Sequence, residues 1–292
     1  MKKVLVIGST VTDIIVKLSH LPVTGEDINI WGQKMSIGGC AFNVSQSIAY
    51  YAVPYLLFSP VGTGIYAQYV KNSLENLGVQ RAGLEAEIPN GCCYCLVEDG
   101  GERTFICDHG AEYKYKKEWF DALDYSEFSC VYICGLEMEE DTGDIVIDFL
   151  EESKIPFYFS PGPRINAIQK YKMERIFSLN PILHVNKTEA LSYTGANNMK
   201  DAAEKLQALT NNIIIVTDGD KGSNCLSKDD TVWYEVPSFK STVVDTIGAG
   251  DAHIGTFIAQ RQLGKSIVDS LKEANKMAAR IVEQEGATLK NK

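Results

Sequence analysis

The strongest constraint on this chain is the recurrence of short apolar runs separated by longer amphipathic stretches. The runs lie at residues 4–7, 55–58, 131–134, 156–159, 182–185 and 213–216, and helix-like periodicity fills stretches such as 66–77, 144–152 and 199–209. A strand buried on both faces reads as a continuous apolar run, and parallel strands need a helical crossover between them. The alternation therefore predicts an α/β fold with a mostly parallel sheet and helices on both faces. A chain of 292 residues suffices for one large domain, and with no repeat or low-complexity linker the expectation is a single unit over 1–292.

Two segments break the pattern. Residues 13–35 hold Ile14-Ile15-Val16, a turn at Leu21-Pro22-Val23-Thr24-Gly25, and Ile28-Asn29-Ile30-Trp31. Residues 92–107 hold Cys95-Leu96-Val97, the turn Asp99-Gly100-Gly101-Glu102, and Thr104-Phe105-Ile106. Both read as hairpins. Hairpins inserted into an α/β core cannot bury both faces in the main sheet, so they predict a small separate β-sheet acting as a lid over a cleft.

Charge and cysteine usage narrow the function classes. A formal net charge of −10 and the lack of a dense basic block argue against a nucleic-acid partner. An acidic protein can still bind a polyanion where backbone dipoles or Mg²⁺ make the site locally positive. No apolar run approaches the ~20 residues of a membrane helix, so no membrane is expected. The apolar core after Lys2-Lys3 suits a first strand better than a signal peptide, and the eight cysteines read as free thiols; both point to a soluble cytoplasmic protein.

The chemistry concentrates in Asp245-Thr246-Ile247-Gly248-Ala249-Gly250-Asp251, which precedes a helical stretch at 252–262. A glycine-flanked helix start offers free N–H groups and the positive end of the dipole to an anion. A carboxylate there would repel a resident phosphate. It suits a transient anion, with Asp251 taking the proton of an attacking hydroxyl. The residues point to phosphoryl transfer, although an acidic N-cap and a tight turn would give the same pattern without a ligand.

That motif resembles the C-terminal signature of the ribokinase-like (PfkB-type) carbohydrate and nucleoside kinases, and three further ordered motifs and the Asp13 segment extend the resemblance over nearly the whole chain. The resemblance implies a ribokinase-like three-layer α/β/α fold with a small β-sheet lid, through which some members dimerise. It implies an ATP-dependent kinase acting on a primary hydroxyl of a small sugar, with a nucleoside kinase as the alternative and a non-catalytic sugar- or nucleotide-binding protein as the reading from another class. Asp251 would be the base, with Gly248, Ala249 and Gly250 stabilising the transferring group. The segment Gly8-Ser9-Thr10-Val11-Thr12-Asp13 makes Asp13 a hydroxyl acceptor, and Gly38-Gly39-Cys40-Ala41-Phe42-Asn43 makes Gly38, Gly39 and Asn43 substrate contacts. Asn186 and Glu189 correspond to the NxxE motif, with Glu189 reaching Mg²⁺ through water; a helix-capping pair explains the same spacing. Thr217, Gly219 and Gly222 match the ATP-binding TxGxxG, Asn275 stands at an adenine-side position, and Asp245 is a candidate ligand for K⁺.

The chain departs from the family at Ser160, where many members carry Asp, and at His253, where an aromatic is usual. Cys40 is the thiol whose modification would matter most to activity, unless it is a small packing residue.

Overall fold

The protein, described here from a computed structural model over residues 1–228 and 232–286, has fourteen strands and helices of five to fifteen residues among those positions. In chain order the strands are β1 (Lys3–Ile7), β2 (Val11–Lys17), β3 (Gly32–Gly38), β4 (Tyr55–Phe58), β5 (Val61–Thr63), β6 (Glu85–Pro89) and β7 (Cys92–Val97). They continue with β8 (Arg103–Asp108), β9 (Phe128–Cys134), β10 (Phe157–Ser160), β11 (Ile182–Asn186), β12 (Ile214–Thr217), β13 (Ser223–Leu226) and β14 (Trp233–Val236). The main sheet runs β14-β13-β12-β11-β10-β9-β1-β4, parallel from β12 to β4 and closed at one edge by the antiparallel β13 and β14.

Successive residues of the parallel strands feed two different cores. Leu5, Ile7, Val131, Ile133, Phe157, Phe159, Leu183 and Val185 pack on one face, beneath the helices Gly143–Ser153, Lys170–Ser178 and Met199–Thr210. Val4, Val6, Tyr132, Tyr158 and Ile215 pack on the other, beneath Cys40–Tyr50, Gly64–Asn76, Ala249–Gln262 and Ile267–Ile281. A two-residue side-chain period serving two apolar layers is why the runs are almost wholly apolar, with His184 the exception. Of these helices Ala249–Gln262 is the most enclosed, with every residue from Ala252 to Gln260 buried. It fills the space between Cys40–Tyr50 and Ile267–Ile281, so the glycine turn at its start is rigidly held.

The second sheet, β3-β2-β7-β8, is the expected lid, with a correction to its parts. The segment 28–31 forms no strand. The partner of β2 is β3, which starts at Gly32 and ends at Gly38, because Lys17 lies opposite Gly32 and Val11 opposite Gly38. The connection 18–31 is long, and its Leu21 and Ile28 pack under Ile14, Val16 and Leu18. Only β7 and β8 make a tight hairpin, while β2 and β7 pair in parallel and join the two segments into one sheet. The lid therefore spans 11–38 and 92–108. Among the described residues no helix is long and apolar enough to cross a membrane.

Phe159 is fully buried in central β10. Phe159→Ala should lower stability by about 3–5 kcal/mol through lost transfer energy and an unfilled cavity, read as a shift of the urea midpoint with unchanged slope.

Candidate active site

The carboxyl ends of the parallel strands open onto two adjoining cavities that meet at the start of helix Ala249–Gln262. One, of about 300 Å³, is lined by Cys40, Ser160, Asn186, Glu189, Gly248 and Asp251 among others. The other, of about 620 Å³, is lined by Thr217, Gly219, Gly222, His253 and Asn275 among others. Gly250 and Thr217 line both. Ligands of open α/β sheets bind in such clefts, beyond the strand ends.

At the junction Gly248 caps the helix with φ 74°, a left-handed conformation in which a side chain would be strained. The amides of Gly248, Gly250 and Asp251 have no acceptor among the described residues, whereas that of Ala249 turns back to the Thr246 carbonyl at 3.3 Å. The expected trio of donors is thus revised: Ala249 is engaged within the turn, and the free amide of Asp251 stands in its place. Asp251 accepts from Asn43 Nδ2 at 2.9 Å. Burial raises its pKa to about 6, opposed by the Asn43 and Cys40 hydrogen bonds. Desolvation outweighs the helix N-terminus, yet the group remains largely ionised at neutral pH.

Asp13 lies on the lid face toward this junction, its carboxylate so close over Gly38 that a Cβ there would fall 2.0 Å from Oδ2. Removal from water raises Asp13 to about 7, and the charges of Cys107 and Asp251 add to the effect. Gly39 follows as the N-cap of Cys40–Tyr50, which directs Asn43 at Asp251 and leaves Asn43 Oδ1 buried without a partner. Cys40 lines the cavity beside Asp251, whose carboxyl it helps to hold down, so it is a half-buried neighbour of the acid. Asp13, Gly38, Gly39, Asn43 and Asp251 are thereby brought together from the lid, the first core helix and the last third of the chain.

Sequence reasoning passed over Glu137. It is fully buried, accepts from the Ser9 amide at 2.7 Å, is raised to about 7 by burial, and keeps Oε2 without a partner. An acid three residues past the end of β9 carried no distinguishing pattern in the sequence. His184 and Arg164 were also missed. His184 bridges Ser160 (3.4 Å) and His253 (3.1 Å), and His253 bonds Asn275 Oδ1 at 3.1 Å. Burial keeps both imidazoles well below the usual range, so the chain is neutral. Ser160 and His253 thus belong to one polar link, Ser160–His184–His253–Asn275, that runs between the cavities. Arg164 lines the smaller cavity and is paired with Glu139.

Three expected assignments change when partners are counted. Asn275 lines the larger cavity, but its Nδ2 is committed to the carbonyls of Val236 (2.9 Å) and Pro237 (3.2 Å), so it fixes the cavity wall instead of presenting a free amide. Asn186 and Glu189 form a capping box: Asn186 accepts from the Glu189 amide, and the Glu189 carboxylate accepts from the Asn186 amide and Nδ2. The pair nevertheless lines the cavity beside Asp251. Asp245, the expected K⁺ ligand, lies 3.2 Å from the Arg103 guanidinium of β8 and accepts from the amides of Ile247 and Gly286. A fixed cation from the lid already balances that acid.

Residues 1–292 match the pfkB family carbohydrate kinase pattern. The chain is 30% identical over 294 residues to the uncharacterized sugar kinase YegV of Escherichia coli (strain K12), covering 98% of this chain and 90% of that protein. It is 27% identical over 290 residues to the deoxyribokinase of Salmonella typhi, covering 96% and 92%. The solved ribokinase of Cryptococcus neoformans var. grubii serotype A in complex with ADP superposes with a TM-score of 0.79 over 99% of this chain and 96% of that one, at 24% identity.

Asp13 binds its proton more tightly folded than unfolded, so its contribution to stability is full at low pH and is lost as pH rises through about 7. Asp13→Asn should therefore flatten the fall of melting temperature between about pH 5 and about pH 8, by on the order of 2–4 °C relative to wild type. Parallel curves in differential scanning calorimetry would contradict the raised value.

Proposed function

Because the chain belongs to the pfkB family of carbohydrate kinases, we propose that it transfers the γ-phosphoryl group of ATP to a primary hydroxyl of a small sugar. The observation that carries this reading is the conjunction of three unpartnered amides, at Gly248, Gly250 and Asp251, with the Asp251 carboxylate where two cavities meet. Donors without acceptors welcome negative charge, and the acid beside them removes a proton.

The larger cavity, of about 620 Å³, suits a nucleoside, with Gly219 and Gly222 letting phosphates approach the backbone beyond Thr217. The sugar takes the lid side. Asp13 accepts from its hydroxyls, and Asn43 offers the unpaired Oδ1. Asp251 accepts the proton of the attacking hydroxyl, a contribution of about 10²–10⁴-fold. The Asn43 bond fixes which Asp251 oxygen faces the substrate. The free amides then stabilise charge on the group in flight, each worth about 2.7–4 kcal/mol in comparable sites.

Mg²⁺ bound with the nucleotide would neutralise phosphate charge. Glu189 and Asn186 fit it only through water, since both carboxylate oxygens are already engaged in the capping box and retain spare lone pairs alone. Among the described residues no group of three His, Cys, Asp or Glu side chains stands ready to take a bare metal. We assign no K⁺ to Asp245, whose charge Arg103 balances. Closure of the lid would exclude water from the transfer, and the Arg103–Asp245 pair ties the lid to the anion turn. Use of ATP fits the expected cytoplasmic setting.

The opposite lid face carries a rung of apolar side chains, Met35, Ile14, Tyr94 and Ile106, of which Met35, Tyr94 and Ile106 are exposed. This rung supports a homodimer through the lid. Ile106→Lys should shift a dimer to monomer in sedimentation velocity, and an unchanged sedimentation coefficient would remove this surface from the interface.

ADP release should be measured over a panel of pentoses, hexoses, deoxysugars and nucleosides. One or more sugars should be turned over, and Asp251→Asn should lower kcat by about 10²–10⁴-fold with the fold intact. Turnover confined to nucleosides would replace the sugar by a nucleoside, and binding without ADP release would make the protein a sensor.

A further inference from the structure

The structure assigns a second chemistry to the lid: we propose that Cys107 and Cys93 are a peroxide-reactive dithiol, with Cys107 the attacking sulfur and Cys93 the resolving one. This goes beyond phosphoryl transfer and does not depend on it.

Cys93 on β7 and Cys107 on β8 are direct cross-strand partners, with their sulfurs 3.4 Å apart. Opposed residues of an antiparallel pair have Cα atoms about 4.5–5.5 Å apart, within the span a disulfide bridges. The two strands can therefore be linked without moving the backbone far. Cys107 is exposed and Cys93 half-buried, so an oxidant reaches Cys107 first.

The surroundings of Cys107 are those of an activated nucleophile. His109, two residues on, shares its face and draws its thiol down. His109 is in turn oriented by Glu140, whose Oε1 lies 2.8 Å from Nδ1, and by stacking on Tyr113 with ring centroids 4.1 Å apart. A nucleophile, a base and a group that orients the base form the arrangement that activates thiols. The Cys93 and His109 hydrogen bonds draw the Cys107 thiol down to about 5, the nearby Arg164 charge adding to this, while Cys93 is pushed up and stays a thiol. His109 rises to about 9, mainly through Cys107, so thiolate and imidazolium support each other. In the other pair, Cys40 is half-buried and Cys134 buried beside Asp251 and Glu137, and both thiols are raised. The pair lacks the access and the cation that reactivity needs.

In the reaction the Cys107 thiolate attacks one oxygen of hydrogen peroxide and the O–O bond breaks. The departing hydroxide takes the proton of His109 and leaves as water, giving Cys107 sulfenic acid. The Cys93 sulfur then attacks the Cys107 sulfur, the S–O bond breaks, and the hydroxyl leaves as a second water with the Cys93 proton. Two thiols are oxidised by two electrons in all, and the peroxide is reduced to two waters. No step of kinase chemistry uses either thiol. Cys93 lies directly beside Asp13 on the rung Ser36, Asp13, Cys93, Cys107, so the new bond would form next to the proposed hydroxyl subsite.

The test treats the reduced, folded protein with stoichiometric hydrogen peroxide and reads intact mass and peptide map. Wild type should lose about 2 Da, with the peptides of Cys93 and Cys107 joined and the bond reversed by dithiothreitol. Cys93→Ser should instead trap Cys107 as a sulfenic acid, gaining about 16 Da and labelling with dimedone. Cys107→Ser should lose the reaction at least about tenfold in rate. A wild-type protein that keeps all its thiols, or whose cross-link maps to another pair, overturns the proposal whatever the variants do.

Discussion

Three backbone amides without acceptors, set against one desolvated carboxylate, are the constraint around which this molecule is arranged. A carboxylate stripped of water costs free energy, and it lies within one turn of the open amides that every helix start leaves, here at Gly248–Asp251. What holds them is the burial of helix Ala249–Gln262 between its two neighbours, with residues 252–260 withdrawn from solvent. The packing of that helix fixes the direction of the amides, and the Asn43 bond fixes the acid. The strain of the site is thus carried by apolar contacts far from any reacting atom.

The same logic accounts for the acids around the acceptor cavity. Asp13, Glu137 and Asp251 are all raised by burial, and Asp13 and Asp251 also repel one another. Such a cluster is unfavourable until hydroxyl donors arrive. In the proposed function hydroxyls would bind where water has been excluded, and the energy returned would be specific to ligands that present several donors in the right places. The lid supplies Asp13 to this cluster and Arg103 to the acid beside the anion turn, so opening it would remove two charges from the site together.

How much of this was legible depends on the range of the interaction. The strands were visible because two apolar layers leave few polar positions, and β4 occupies the very residues read as a run. The lid segments were visible because their hairpin-like turns interrupt the alternation. The strand expected at 28–31 failed because strand limits in a two-stranded pairing are set by register with β2, and register depends on which face is buried across the sheet, not on local preference. The capping box of Asn186 and Glu189 was an equal alternative in the sequence, and neighbouring backbone geometry decided for it without moving the pair out of the cavity. Glu137 was missed because one acid after a strand carries no pattern.

The sequence by itself determined the α/β architecture, the presence of a lid, and the glycine-bounded turn ending in Asp251, since each follows from spacing within a few residues of the chain. Only the tertiary structure decided which amides of that turn are free, that Asp245 is matched by Arg103, that Asn275 is spent on the backbone of 236–237, and that Cys93 faces Cys107. These are meetings between residues distant in the chain, or between side chains and the partners that compete for them. A hydrogen bond or a desolvation depends on what stands within a few ångströms in space, and linear order does not encode that distance.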